Sequence, residues 1–202
     1  MTEARIGRLL AASLHQAIVE VLPQRLEFYE HWLRSEGLKD GRIGIAPMQA
    51  VLGFLRTEGE DYERVVARAG SLAAEWTITS MPAVKRRLIG LLPPSLRTRA
   101  AVRVVAGIVR EVCSTSRVTT QVWRHTARLD IQASPFCEVR EPQPVPLCGF
   151  YAAVAAQTLN RLEIPARARV ERCRAKDADG PTCVIALELA RAETAERPAM
   201  AA

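Results

Sequence analysis

Five cysteines carry most of the chemistry this 202-residue sequence can offer: Cys113, Cys137, Cys148, Cys173 and Cys183. Four of them fall in the last third of the chain. Cys137 and Cys148 bracket a proline-rich stretch, "SPFCEVREPQPVPLCGFY", with no helical or strand period. Cys173 and Cys183 flank the turn signal "KDADGP". If that turn centres near Ala178, the two thiols face each other across a hairpin, with Glu171 two residues earlier on the same face. A carboxylate among apolar neighbours needs a partner, which a cation or an arginine would supply. Thiolates plus one carboxylate form a plausible tetrahedral zinc set, but no CxxC pair is present, and buried structural thiols remain the competing reading. Cys113 lies in an apolar helical run and reads as core.

Other chemistries find less support. His15, His31 and His125 have no thiol or acidic neighbour that would make a nucleophilic dyad, so no catalytic residue is assigned. GxGxxG, GxxxxGK and GxSxG motifs are absent. The net charge of +6 invites a nucleic-acid reading. Against it, the cations are almost all arginines spread along the chain, with one modest cluster at Lys85-Arg86-Arg87. Aromatics, which would interleave with them in a basic groove, make up only 5%. No nucleic-acid partner is expected. No apolar run is long enough for a membrane span, and the N-terminus lacks a signal-peptide core, so a cytoplasmic location is expected.

The elements that must position the cysteines follow from hydrophobic period. Helical spacing predicts helices over about 5–21, 24–36, from 46, 61–80 and 95–113. The period then changes. "RVTTQVW", "TARLDIQA", "ARARVERCR" and "TCVIALEL" alternate as strands, and a helix begins at Cys148. The expectation is an α+β fold: a helical N-terminal half packed on an antiparallel sheet of about four strands. Residues 1–37 would be helices for packing or dimerisation, 38–190 the main domain and 191–202 a disordered tail.

The order "SPFC", "PLCGFYAAVAAQTL" and "ARARVERCRAKDADGPTC", together with "GEDYERVVARAGSLAAEWT" upstream, resembles the 4-vinyl reductase domain family. The resemblance covers about residues 40–190. It implies a fold related to small TRAPP subunits, a homodimer and an apolar pocket for a hydrocarbon, fatty-acyl, aromatic or tetrapyrrole-type ligand. In sensor members it also implies a zinc held by a cysteine, a glutamate and two further cysteines. Carried onto this chain, those ligands are Cys148, Glu171, Cys173 and Cys183. Glu171 stands two residues before Cys173 where three are expected, so Cys137 is the alternative fourth ligand. Phe54, Trp76, Trp123, Phe150 and Tyr151 are the aromatic candidates to line the pocket. The leading expectation is a binding protein or carrier for a small hydrophobic molecule. An accessory factor or reductase in (bacterio)chlorophyll-type tetrapyrrole biosynthesis and a ligand-responsive regulatory or assembly module are the alternatives. No nicotinamide or flavin fingerprint supports a reductase acting alone.

Overall fold

The computed structural model describes residues 4–33, 43–177 and 180–190. The end of the expected N-terminal segment, the centre of the hairpin turn at Ala178 and the tail 191–202 lie outside them.

The chain opens with a two-residue strand, β1 (Arg5–Ile6), and the helix α1 (Arg8–Val21). Leu10, Leu14, Ala17 and Ile18 recur at helical spacing and are fully buried. Gly7 makes the entry. Its N–H donates to Val112 O at 3.0 Å, and a Cβ there would sit 1.7 Å from the Glu111 carbonyl oxygen. After a 3₁₀ turn at Pro23–Arg25 come α2 (Leu26–Leu33), β2 (Ile43–Gly44, paired with β1), α3 (Ile45–Thr57) and α4 (Glu60–Ser80). Glu60, Asp61 and Glu63 place negative charge in the first turn of α4, where the helix dipole favours it. A short helix, α5 (Ala83–Leu91), precedes α6 (Pro94–Val112), which starts on a proline already set to helical φ.

The second half is the sheet. Strands β3 (Arg117–Val122), β4 (Thr126–Gln132), β5 (Ala166–Arg172) and β6 (Cys183–Leu189) form one antiparallel sheet in the order β3-β4-β6-β5. The α+β architecture expected from the change of period is therefore the observed one. Helix α7 (Gly149–Arg161) crosses between β4 and β5. Ala127, Leu129 and Ile131 of β4 and Cys183, Ile185 and Leu187 of β6 point into the core. Arg128, Asp130 and Glu188 point outward, the alternation of a sheet covered on one side. One continuous core runs from Ile6 and Leu10 of the N-terminal elements to Ile185 and Leu187 of the last strand. The N-terminal helix thus shares its core with the sheet.

Three elements were not read from the sequence: α5, whose flanking prolines resemble loop punctuation, and the paired strands β1 and β2, too short to show a period.

Helix α7 is set by how closely it approaches α4. A Cβ on Gly70 would lie 2.3 Å from Phe150 O and 2.9 Å from Ala153 Cβ, so the α4–α7 contact requires glycine. Gly53, within α3, has open space around it. Gly70→Ala is therefore expected to cost about 1–3 kcal/mol through overpacking. Gly53→Ala is expected to be neutral, or stabilising by up to about 1 kcal/mol through helix propensity. Urea melts of the two variants check both.

Candidate metal centre

Each of the four clustered cysteines sits at the end of an element. Cys137 closes a 3₁₀ turn, Pro135–Cys137, that α3 holds down from two points two turns apart on one face. Gln49 Nε2 donates to Pro135 O at 2.7 Å, and Arg56 Nη2 donates to Phe136 O at 3.1 Å. Cys148 is the N-cap of α7. The loop entering it is fixed by Tyr62 Oη of α4, which donates to Leu147 O at 3.0 Å. The residues beside these two cysteines anchor them further. Phe136 stacks on Phe150 at 5.1 Å and meets Tyr151 edge-on at 5.5 Å, all three fully buried. Such aromatic contacts add about 0.5–1.5 kcal/mol each beyond their buried area.

Cys173 and Cys183 come from the hairpin, and an irregularity in β5 aims the first of them. Val170 pairs with Ile185, but Arg172 pairs with Val184. Two residues advance on β5 while one advances on β6, so Glu171 is the extra residue of a β-bulge. Val170 faces the core, Glu171 and Arg172 both face solvent, and Cys173 returns inward. Without the bulge, strict alternation would turn Arg172 inward and Cys173 out. Beyond Cys173 the chain turns sharply. Asp177 N donates to Cys173 O at 2.8 Å, and Cys173 N donates to Asp177 Oδ2 at 3.2 Å.

The four Sγ atoms converge. Cys137 lies 2.9 Å from Cys148, 3.4 Å from Cys173 and 3.3 Å from Cys183, and Cys148 lies 3.0 Å from Cys173. All four sulfurs fall within 4.8 Å of one another, and none of the residues is more than 3% exposed. The Cys173 thiol is held far below its ordinary range, because the Cys137, Cys148 and Cys183 thiols and the Leu147 N–H (3.3 Å) hydrogen-bond to its charged form. Cys148 is pushed well up by its hydrogen bonds to Cys137, Cys173 and Cys183 and by burial. The Cys183 thiol is lowered too, by hydrogen bonds from Cys137 and Cys148, but ionising all four is opposed by repulsion of about 4 kcal/mol per pair at an effective dielectric of about 20. A divalent cation reverses that balance. Four sulfurs about 2.3 Å from a zinc ion stand about 3.8 Å apart, a small outward relaxation from the spacing here. The donor set fits a closed tetrahedral Cys₄ site.

Glu171 is not in this group. Its side chain is 47% exposed on the outer face of the sheet, with Oε1 3.9 Å from Arg128 Nη1, and Arg128 also bonds Asp130 at 3.1 Å. Of the expected set, Cys148, Cys173 and Cys183 are brought together, and Cys137, the expected alternative, stands with them in place of Glu171. Cys113 is buried elsewhere, beside the Thr115 hydroxyl.

The aromatic candidates do not gather into one lining. Phe54 is 40% exposed and packs edge-on against Phe28, and Trp123 is 53% exposed in the β3–β4 turn. Phe150 and Tyr151 lie in the core beside the thiols. Trp76 instead borders an open groove of about 550 Å³ with Gly7, Arg8, Leu9, Ala12 and Glu111. Gln49, Arg56 and Tyr62, which position the thiol loop, went unread. Each lies over 70 residues from its partner and carries no motif.

No protein-family model and no curated protein matches the sequence. Solved structures do match the fold. A point mutant of the Fe(II) unliganded H-NOX protein from K. algicida has a TM-score of 0.61 at 10% identity, covering 93% of this chain and 98% of its own. Trafficking protein particle complex subunit 3 from Naegleria fowleri, covalently bound to palmitic acid, has a TM-score of 0.50 at 12% identity, covering 71% and 93%. The phenol-responsive sensory domain of the transcription activator PoxR, with phenol, has a TM-score of 0.48 at 14% identity, covering 82% and 90%. At these identities the likeness is one of fold.

The Tyr62 bond makes a direct test of how the site is held. Tyr62→Phe strands the buried Leu147 carbonyl and is expected to cost about 1–3 kcal/mol in urea unfolding. A loss below a few tenths of a kcal/mol would show that the loop before Cys148 does not depend on it.

Proposed function

We propose that this protein is a binding module for a small hydrophobic molecule whose sheet, crossover helix and proline-rich loop are clamped by a zinc ion. The observation that carries the reading is the convergence of Cys137, Cys148, Cys173 and Cys183 in a fully buried cage. Bound there, zinc would supply a crosslink between the two ends of the proline-rich loop and the final hairpin, with every ligand position filled by sulfur. A closed site of this kind is structural, since catalytic zinc keeps a position open. The residues therefore hold and orient; they do not activate water.

The ligand half of the proposal rests on three supports. The fold is shared with a subunit that carries palmitic acid and with an H-NOX protein. The interior beside the cage is aromatic, and the Tyr151, Ser134 and Thr158 hydroxyls have no hydrogen-bond partner among the described residues. Ser134 Oγ approaches Tyr151 Oη but stays outside hydrogen-bond geometry. Buried polar groups without a partner are groups that a bound molecule could pair with. The groove at Trp76 is of the size that holds a small ligand and is the proposed way in. Of the histidines whose side chains are described, His15 pairs with Glu30 at 3.5 Å and His125 is exposed in a turn, so neither reaches the interior as a haem ligand would. A role in tetrapyrrole metabolism rests on the sequence resemblance alone.

Native mass spectrometry and metal analysis of the protein as purified test both halves. One zinc per chain and a retained apolar ligand are expected. Cys148→Ser and Cys137→Ser should lose the metal, and Cys113→Ser should keep it. Trp76→Ala should lose the ligand and keep the zinc. A stable, folded protein free of metal would contradict the clamp. A zinc-loaded protein that takes up no apolar molecule would contradict the ligand reading.

A further inference from the structure

Between Glu75 and Glu111 the chain has no acidic residue, yet it has seven lysines and arginines, among them the consecutive Lys85, Arg86 and Arg87. The whole chain carries +6, so all its other residues together sum to −1. This interval, made largely of α5 and α6, is the longest run in the chain without an acidic residue.

Helix α5 is also the least embedded helix among the described residues. Of its nine residues only Ile89 is buried. Val84, Leu88 and Leu91, at i, i+4 and i+7, are 69%, 59% and 82% exposed, and Leu96 at the start of α6 is 47% exposed. An amphipathic helix normally turns such a stripe toward the core. Here the aliphatic ridge faces out, with cations beside it. Trp123 belongs to the same end of the molecule. Arg97 of α6 donates to Leu162 O at 2.7 Å and pairs with Glu163; Ala190 N donates to Pro165 O; Leu189 N donates to His125 O. These bonds tie the start of α6, the start of β5, the end of β6 and the β3–β4 turn together. The cysteine cage lies at the opposite ends of β5 and β6.

We propose that α5 and the first turn of α6 dock the protein on an anionic lipid bilayer, the aliphatic ridge entering the headgroup boundary and the cations meeting lipid charge. Charge selects this occupant. A second copy of the chain would bring two strongly positive patches together, whereas an anionic surface neutralises one. Long basic side chains can lay their stems along the ridge and reach outward, and exposed tryptophan suits the same interface. None of the described helices is long and apolar enough to cross a membrane, so this is attachment in the plane of the surface. The proposal is independent of the ligand and metal reading.

Flotation of the full chain with vesicles tests it, using phosphatidylcholine alone or mixed equally with phosphatidylglycerol. The protein should float with the mixed vesicles only, and less at high salt. Leu88→Glu with Leu91→Glu, and separately Lys85→Gln with Arg86→Gln and Arg87→Gln, should each cut recovery by about tenfold or more. Melting temperature should hold, because these side chains are exposed. If the leucine variant misfolds, the glutamine variant decides. The proposal is overturned if wild type stays in the soluble fraction, floats equally with neutral vesicles, or floats undiminished as the glutamine variant. Binding to duplex DNA without vesicle binding, or a dimer lost in the leucine variant with no change in flotation, would also overturn it.

Discussion

Four sulfurs from three separate segments share a buried space only a few ångströms across, and the second half of the fold is arranged so that they can. Thiols this close resist full ionisation; four thiolates need a cation among them. The sequence meets the geometric demand at each element. Gly70 lets α7 lie against α4, which places the Cys148 N-cap. Gln49 and Arg56 hold the turn that ends in Cys137. The bulge at Glu171 turns Cys173 inward beside Cys183. The aromatic trio Phe136, Phe150 and Tyr151 fills the floor, so the cage and the core around it stand or fall together.

Much of this was legible in one dimension. Strand alternation in 117–132 and 166–189 and the apolar periodicity of α1, α4 and α6 gave the architecture, because burial on one face dictates those periods. The clustering of cysteines, with turn residues between Cys173 and Cys183, pointed to the site. What could not be read was the offset of one residue in β5. A bulge leaves no mark in composition, and strict alternation counted back from an inward Cys173 puts Glu171 on the same inner face, where the structure has it outside. The residue that looked like a ligand lies outside beside Arg128, and Cys173, two positions on, faces in. The aromatic lining failed for a related reason. Phe54, Trp123 and Trp76 are identified as large and apolar by type, but only the packing of distant elements says which of them reach the interior. Gln49, Arg56 and Tyr62 act across sequence separations at which no local pattern exists.

The molecule has two chemically different ends. At one, the start of α7, the end of β5 and the start of β6 meet at the thiols. At the other, α5 and the start of α6 present an aliphatic ridge among cations. Helices α4 and α7 join the two through one continuous core. In the proposed reading, a metal fixes the interior end, an apolar molecule binds in the body of the fold, and the charged end meets a lipid surface. A carrier of apolar molecules gains from being held where such molecules partition, which makes the two proposals compatible although each stands on separate observations.

The central claim is that sulfur alone surrounds the metal. Zinc-edge X-ray absorption on the protein as purified reads that shell directly. The account predicts four sulfurs at about 2.3 Å and no lighter ligand. A shell of three sulfurs and one oxygen, unchanged in Cys137→Ser and lost in Glu171→Gln, would contradict it.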